Sequence, residues 1–200
     1  MQEIQRQRDE YKERQAERLW KESNVGRRFE NATFEAYTGD LKALNVCRQW
    51  VKSHERGSGL VLCGSYGVGK THLATATARE AMRKYGYTIW VQSFAGMLQE
   101  LKNAYGNSAR AEMSLRRYKT VDLLVVDDLG KESMTAWSSE MLYMIVDERY
   151  RNMRSMIITT NLMPNELGKH IDGALMSRLA EMCKFIKVTG EDYRLRKESK

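Results

Sequence analysis

The chain is 200 residues long, 42% hydrophobic and 30% charged, with a formal net charge of +7. That length holds one α/β domain with a substantial core and excludes a second full domain. No apolar run approaches the roughly eighteen residues of a membrane span, and the charged start Met1-Gln-Glu-Ile-Gln-Arg-Gln-Arg8 has no secretory signal character, so a soluble cytoplasmic protein is expected.

Residues 1 to about 24 are dominated by Gln, Glu, Arg and Lys, with an apolar stripe too thin to hold a core. They read as a polar helical tail or linker, with residues 1–27 forming an appendage and 28–200 the folded domain. Phe29, Phe34 and Tyr37 follow as aromatics that dock a lead-in segment onto the domain. Asp40 to Ser53 is a helix, and Leu60 to Cys63 a short continuous apolar run of the kind found in buried parallel strands. An Ala-rich helix covers Thr71 to Lys84, a strand Tyr87 to Val91, a helix about Phe94 to Tyr105, and a second short helix runs up to Tyr118. Val121 to Val126 is a strand, Ser138 to Asn152 a helix, Met156 to Thr160 a strand, Leu175 to Met182 a helix and Lys184 to Val188 a fifth strand. The single proline, Pro164, is placed in a loop. Five strands alternating with helices imply a five-stranded parallel sheet sandwiched by helices, with ligands at the carboxyl ends of the strands.

Gly64-Ser65-Tyr66-Gly67-Val68-Gly69-Lys70-Thr71 fits the phosphate-loop pattern and lies between a strand and a helix, as its mechanism requires. Glycines let successive backbone N–H groups converge on phosphate oxygens, and the helix N-terminus adds partial positive charge. Lys70 is expected on the β- and γ-phosphates of ATP, Thr71 on Mg²⁺, and His72 beside them. The strand Val121 to Asp128 ends in two carboxylates: Asp127 is the candidate magnesium partner and Asp128 the candidate water-activating group. Asn161, ending the next strand, is a candidate to hold the attacking water or the γ-phosphate. Cys47, Cys63 and Cys183 form no CxxC pair and His54, His72 and His170 have no metal-ligand spacing, so neither a disulfide framework nor a structural zinc is expected. The basic balance favours nucleic acid, although a solvated basic surface explains it equally well.

In combination, Ala32-Thr-Phe-Glu-Ala-Tyr37, Gly64 to Thr71, Val121 to Gly130, Thr160-Asn161, Ala174 to Leu179 and Asp192-Tyr-Arg194 resemble the AAA+ ATPases, and within them the DnaC/DnaI-type loaders of the bacterial replicative helicase and the related IstB transposition helpers. The resemblance implies that Arg178 acts in trans as a finger on ATP held by a neighbouring subunit, that subunits self-associate with nucleotide, and that Arg194 is a loose match to a second nucleotide-sensing arginine. It also implies an initiator-type helical insert at about Phe94 to Tyr105 along a path for single-stranded DNA, with Lys102 and Tyr105 as phosphate and stacking contacts and Trp137 as a further stacking ring. Family members carry an N-terminal region that grips the helicase; the tail before residue 28 is too short and polar to be a complete one and is read as its remnant. The function implied is ATP-dependent assistance in placing a replicative helicase on single-stranded DNA. The alternatives are an IstB-like helper on duplex DNA and a DNA-binding adaptor with negligible turnover.

Overall fold

The computed structural model describes residues 2–104, 108–131 and 133–195. Eight α-helices are described: α1 (Gln2–Glu22), α2 (Leu41–Lys52), α3 (Lys70–Tyr85), α4 (Phe94–Asn103), α5 (Ser108–Thr120), α6 (Ala136–Arg151), α7 (Pro164–His170) and α8 (Gly173–Met182). Five strands alternate with them: β1 (Gly59–Cys63), β2 (Ile89–Ser93), β3 (Leu123–Leu129), β4 (Ser155–Thr160) and β5 (Cys183–Lys187). All pairings are parallel, in the order β2-β3-β4-β1-β5. This is the expected sheet, with helices on both faces.

The apolar strands are apolar because both faces are covered. Leu60, Leu62, Leu123, Val125 and Ile157 point to one side, where they meet α2 and α3 through Leu44, Cys47, Leu73, Ala74 and Ala78. Val61, Cys63, Leu124, Val126, Met156 and Ile158 point to the other, against Phe94, Met97, Leu142, Ile145 and Leu179 from α4, α6 and α8. Period-two alternation within each strand thus divides one sheet between two cores. Cys47, Cys63 and Cys183 are all buried free thiols.

Helix α1 does more than trail from the domain. Trp20 is buried, donates Nε1–H to Glu30 O at 3.1 Å, and carries the Arg79 guanidinium 5.2 Å over its ring. The chain then pairs with the exposed side of β2: Val91 N donates to Ser23 O at 2.9 Å, and the Asn24 amide donates to Val91 O at 2.8 Å. An open sheet edge is thereby covered.

Pro164 is not in a loop but at the first turn of α7, where its fixed φ is compatible with the helix and its missing N–H costs nothing. Strand β3 runs to Leu129, three residues past the expected end at Val126, because a bulge lets Leu129 rejoin β4 opposite Thr160.

Arg149, on α6, is fully buried and has no carboxylate partner among the described residues. Its guanidinium donates to the carbonyls of Tyr118 (2.8 Å), Asp122 (3.3 Å) and Ser155, tying the end of α5 to the starts of β3 and β4. Burial draws its pKa down, with Arg154 acting in the same sense. Arg149→Ala removes these donors and leaves a void, so urea unfolding should show a loss of about 3 kcal/mol or more. A loss under about 1 kcal/mol would show that water replaces the guanidinium freely.

Candidate nucleotide site

The phosphate loop leaves β1 at Cys63 and enters α3 at Lys70, so it occupies the carboxyl edge of the sheet, with β1 flanked by β4 and β5. Gly67 and Gly69 adopt φ of +71° and +93°, conformations that glycine reaches without steric cost. A cavity of about 830 Å³ opens here, lined by Tyr66 to His72, Asp128, Asn161 and segments from both ends of the domain. Its size suits a nucleotide.

Lys70 is buried at the floor of the cavity. Its ammonium donates to Gly64 O (2.8 Å), Ser65 O (2.7 Å) and Asn161 Oδ1 (2.8 Å), which saturates its three donors. Burial lowers its pKa and Asp128 and Asp127 oppose that fall, while Arg194 reinforces it. Arg194 therefore stands close enough to be felt at the floor.

Asp127 is the joint of the site. One of its oxygens, Oδ1, accepts from the Thr71 hydroxyl at 2.9 Å and from the Thr159 hydroxyl at 2.6 Å. The same Thr159 oxygen accepts from Asp128 N at 2.9 Å. At the bulge Asp127 and Asp128 together oppose Thr159, so the two carboxylates diverge: Asp127 turns to the phosphate-loop helix, and Asp128, at φ +57°, lines the cavity. Burial pushes the Asp127 carboxyl above its ordinary pKa, against the two hydroxyls, and Asp128 adds to the rise. No group of three or more His, Cys, Asp or Glu side chains among the described residues could hold a metal alone. Thr71 with Asp127 is an all-oxygen pair that fits a magnesium ion completing its shell with phosphates and water.

The cavity walls come from far apart in the chain. Asp40 caps α2 through Lys42 N and Ala43 N, and its second oxygen accepts from both N and Oγ1 of Thr189, at 2.9 and 2.6 Å. Tyr37 is buried beneath the loop, with its hydroxyl 3.4 Å from Val68 O. His72 lines the cavity, but its Nε2 lies 2.9 Å from Thr33 O and its ring tilts against Tyr37, so it braces the lead-in segment. Tyr193 N donates to Gly67 O at 3.0 Å, and the Asp192 carboxylate sits where a Cβ on Gly67 would be. Thr159, Asp40, Thr189 and Lys131 were not anticipated; of these only Thr159, two residues before Asn161, carried a local signal.

Arg178 does not line this cavity. On α8 it donates to Asp147 Oδ1 at 2.8 Å and to the Tyr143 hydroxyl at 3.1 Å, over the rings of Tyr143 and Tyr150. The expected DNA contacts fall elsewhere again. Lys102, at the end of α4, places its ammonium 5.3 Å over the ring of Trp137, at the start of α6. Tyr105 lies outside the described residues. Arg117 is engaged structurally: it pairs with Glu100 at 3.2 Å and covers the Trp90 ring at 4.1 Å, while Glu100 also accepts from Ser114 and Tyr118 and so joins α4 to α5.

A parallel sheet of this order, with a phosphate loop after β1 and an acidic pair at the end of β3, defines an ATP-binding P-loop domain of the AAA+ class. The chain belongs to the family of IstB-like ATP binding proteins, whose family model matches residues 1–200. Phage-like element PBSX protein XkdC of Bacillus subtilis (strain 168) is 31% identical over 187 residues, covering 86% of this chain and 69% of that protein. Replicative helicase loader DnaC of Escherichia coli (strain K12) is 27% identical over 169 residues, covering 82% and 69%. A crystal structure of the DnaC helicase loader has a TM-score of 0.76 at 29% identity, covering 82% of this chain and 100% of that one. No helix among the described residues is long and apolar enough to cross a membrane.

Asp127→Asn keeps an oxygen for both threonine hydroxyls but removes the charge that attracts a hydrated cation. It should fold normally and bind ATP without the tightening that Mg²⁺ confers on the unmodified chain, about tenfold or more. Titrations with and without Mg²⁺ check this. An undiminished Mg²⁺ effect would remove Asp127 from the metal's surroundings.

Proposed function

We propose that the chain is a helicase-loader-type, Mg²⁺-dependent ATPase that binds single-stranded DNA, with ATP sites completed between subunits. The observation that carries this reading is the position of Arg178. The cavity assembles a phosphate loop, a magnesium pair and Asn161 from one chain, whereas the arginine matching the family's finger stands outside it on the α6–α8 seam. A neighbouring subunit supplying its Arg178 would add the positive charge that a transferring phosphoryl group needs. Leu41, Tyr66 and Tyr193, exposed at 65%, 61% and 62%, ring the cavity, and such an apolar rim supports self-association.

Within one site, Asp128 would orient and deprotonate the attacking water, Asn161 would hold it, and Lys70 with Arg194 would balance phosphate charge. Arg178→Ala and Lys70→Ala should each reduce turnover about a thousandfold. Mixing the two should restore hydrolysis, because an intact finger then faces an intact phosphate loop. Failure to restore it, with both variants still assembling, rules out the arrangement in trans.

For DNA, the support is the Lys102–Trp137 pair, which offers a cation and a ring within one short reach. Trp137→Ala should weaken binding of a labelled single-stranded oligonucleotide by about 1–3 kcal/mol, and Lys102→Ala should flatten the salt dependence. The family match favours a second reading, a transposition helper acting on duplex DNA. Equal affinity for duplex and single strands would favour it, and turnover no faster than in Lys70→Ala would favour a non-hydrolysing adaptor. Placement of a replicative helicase, and its contact through the N-terminal region, rest on the relatives named loaders; unwinding that depends on this chain and ATP tests them.

A further inference from the structure

Lys131 lies on the wall of the nucleotide cavity and plays no part in the site as described above. It is exposed, it shares the cavity with Lys70, Asp128 and Asn161, and no ion pair or hydrogen bond joins it to a described residue. A cation beside the Asp128 carboxylate, with no partner among the described residues, is available to a ligand in the cavity.

The backbone before it is shaped to put it there. Asp128 has φ +57° and Gly130 φ +87°, and between them Leu129 is 1% exposed and locked back into register opposite Thr160. Two left-handed residues around one buried anchor turn the chain sharply at the end of β3. A Cβ at Gly130 would lie 2.6 Å from Leu162 Cδ1, so glycine alone lets this turn close on the segment after β4. The turn returns the chain to the cavity at its next residue, Lys131.

The chemistry at that end is specific. Thr71, Lys70, Asp128 and Asn161 gather where the outer phosphates of a bound nucleotide belong. Lys70 reaches its acceptors from the floor and already has three. Arg194 belongs to the strap that crosses the phosphate loop at Gly67. Lys131 approaches from the β3 side, beside Asp128. A flexible stem with a compact charge suits a phosphate oxygen without demanding one geometry.

We propose that Lys131 is a specificity-determining residue that contacts the terminal phosphate and so distinguishes nucleoside triphosphate from diphosphate. This rests on reading the cavity as an ATP site. The test is calorimetric titration of the full chain with a non-hydrolysable ATP analogue and with ADP, each with Mg²⁺. Lys131→Met should weaken the triphosphate about tenfold, equivalent to about 1.4 kcal/mol, and leave ADP within about twofold; Lys131→Arg should recover most of the loss. Equal losses for both nucleotides, or no loss for either, overturn the assignment. Lys70→Ala separates the two levels: if it binds both nucleotides as the unmodified chain does, the cavity reading itself fails and the assignment goes with it.

Discussion

The site depends on a single carboxylate oxygen. Asp127 Oδ1 is shared by the hydroxyls of Thr71 and Thr159, so one atom joins β3, β4 and the first turn of α3. Burying a carboxylate is unfavourable unless it is hydrogen-bonded. Here the bonds come from Thr159 on β4 and from Thr71 in the first turn of α3, the helix that follows the phosphate loop. The raised pKa of Asp127 records that burial outweighs the two hydroxyls. Its other oxygen has no partner among the described residues, and is the one available for the proposed magnesium contact.

A second constraint is that the nucleotide cavity lies where the two ends of the domain converge. Asp40 and Thr189 are joined by two bonds to one oxygen, and the strap after Thr189 crosses the phosphate loop through Tyr193 and Gly67. A ligand in the cavity touches both ends at once. Helix α1 and the residue after it are anchored elsewhere, through Trp20 to Glu30 and Arg79 and through Ser23 to the β2 edge, so the N-terminal helix packs on the domain without lining the cavity.

Much of this was legible in the chain itself, and what was not has a common cause. The phosphate loop and the acidic pair are local patterns whose chemistry demands neighbouring residues, so they could be read without a fold. The strands could be read because burial on both faces writes them as apolar runs. Helix α7 was missed because Pro164 signals a break in a loop and a first helical turn equally well. The bulge was invisible because it depends on the Thr159 hydroxyl filling the gap opposite Asp127 and Asp128, a partner 31 residues beyond Asp128. The Asp40–Thr189 clasp and the Arg178–Asp147 pair are likewise long-range, and no periodicity announces them.

The seam that holds Arg178 also bears on the proposal that its guanidinium completes a neighbouring subunit's site. Its contacts are an ion pair with Asp147, the Ala174 carbonyl, a tyrosine hydroxyl and two ring faces, with the side chain one-quarter exposed. The Asp147 contact is itself a charge-assisted hydrogen bond, and a cation over a ring adds about 0.5–1 kcal/mol. A charge-assisted bond to a phosphate contributes about 1.5–3 kcal/mol. On the proposed arrangement in trans, a phosphate has to compete with these contacts for the guanidinium. The Nε of Arg178 is buried without a partner among the described residues, so one of its five donors gains nothing by staying.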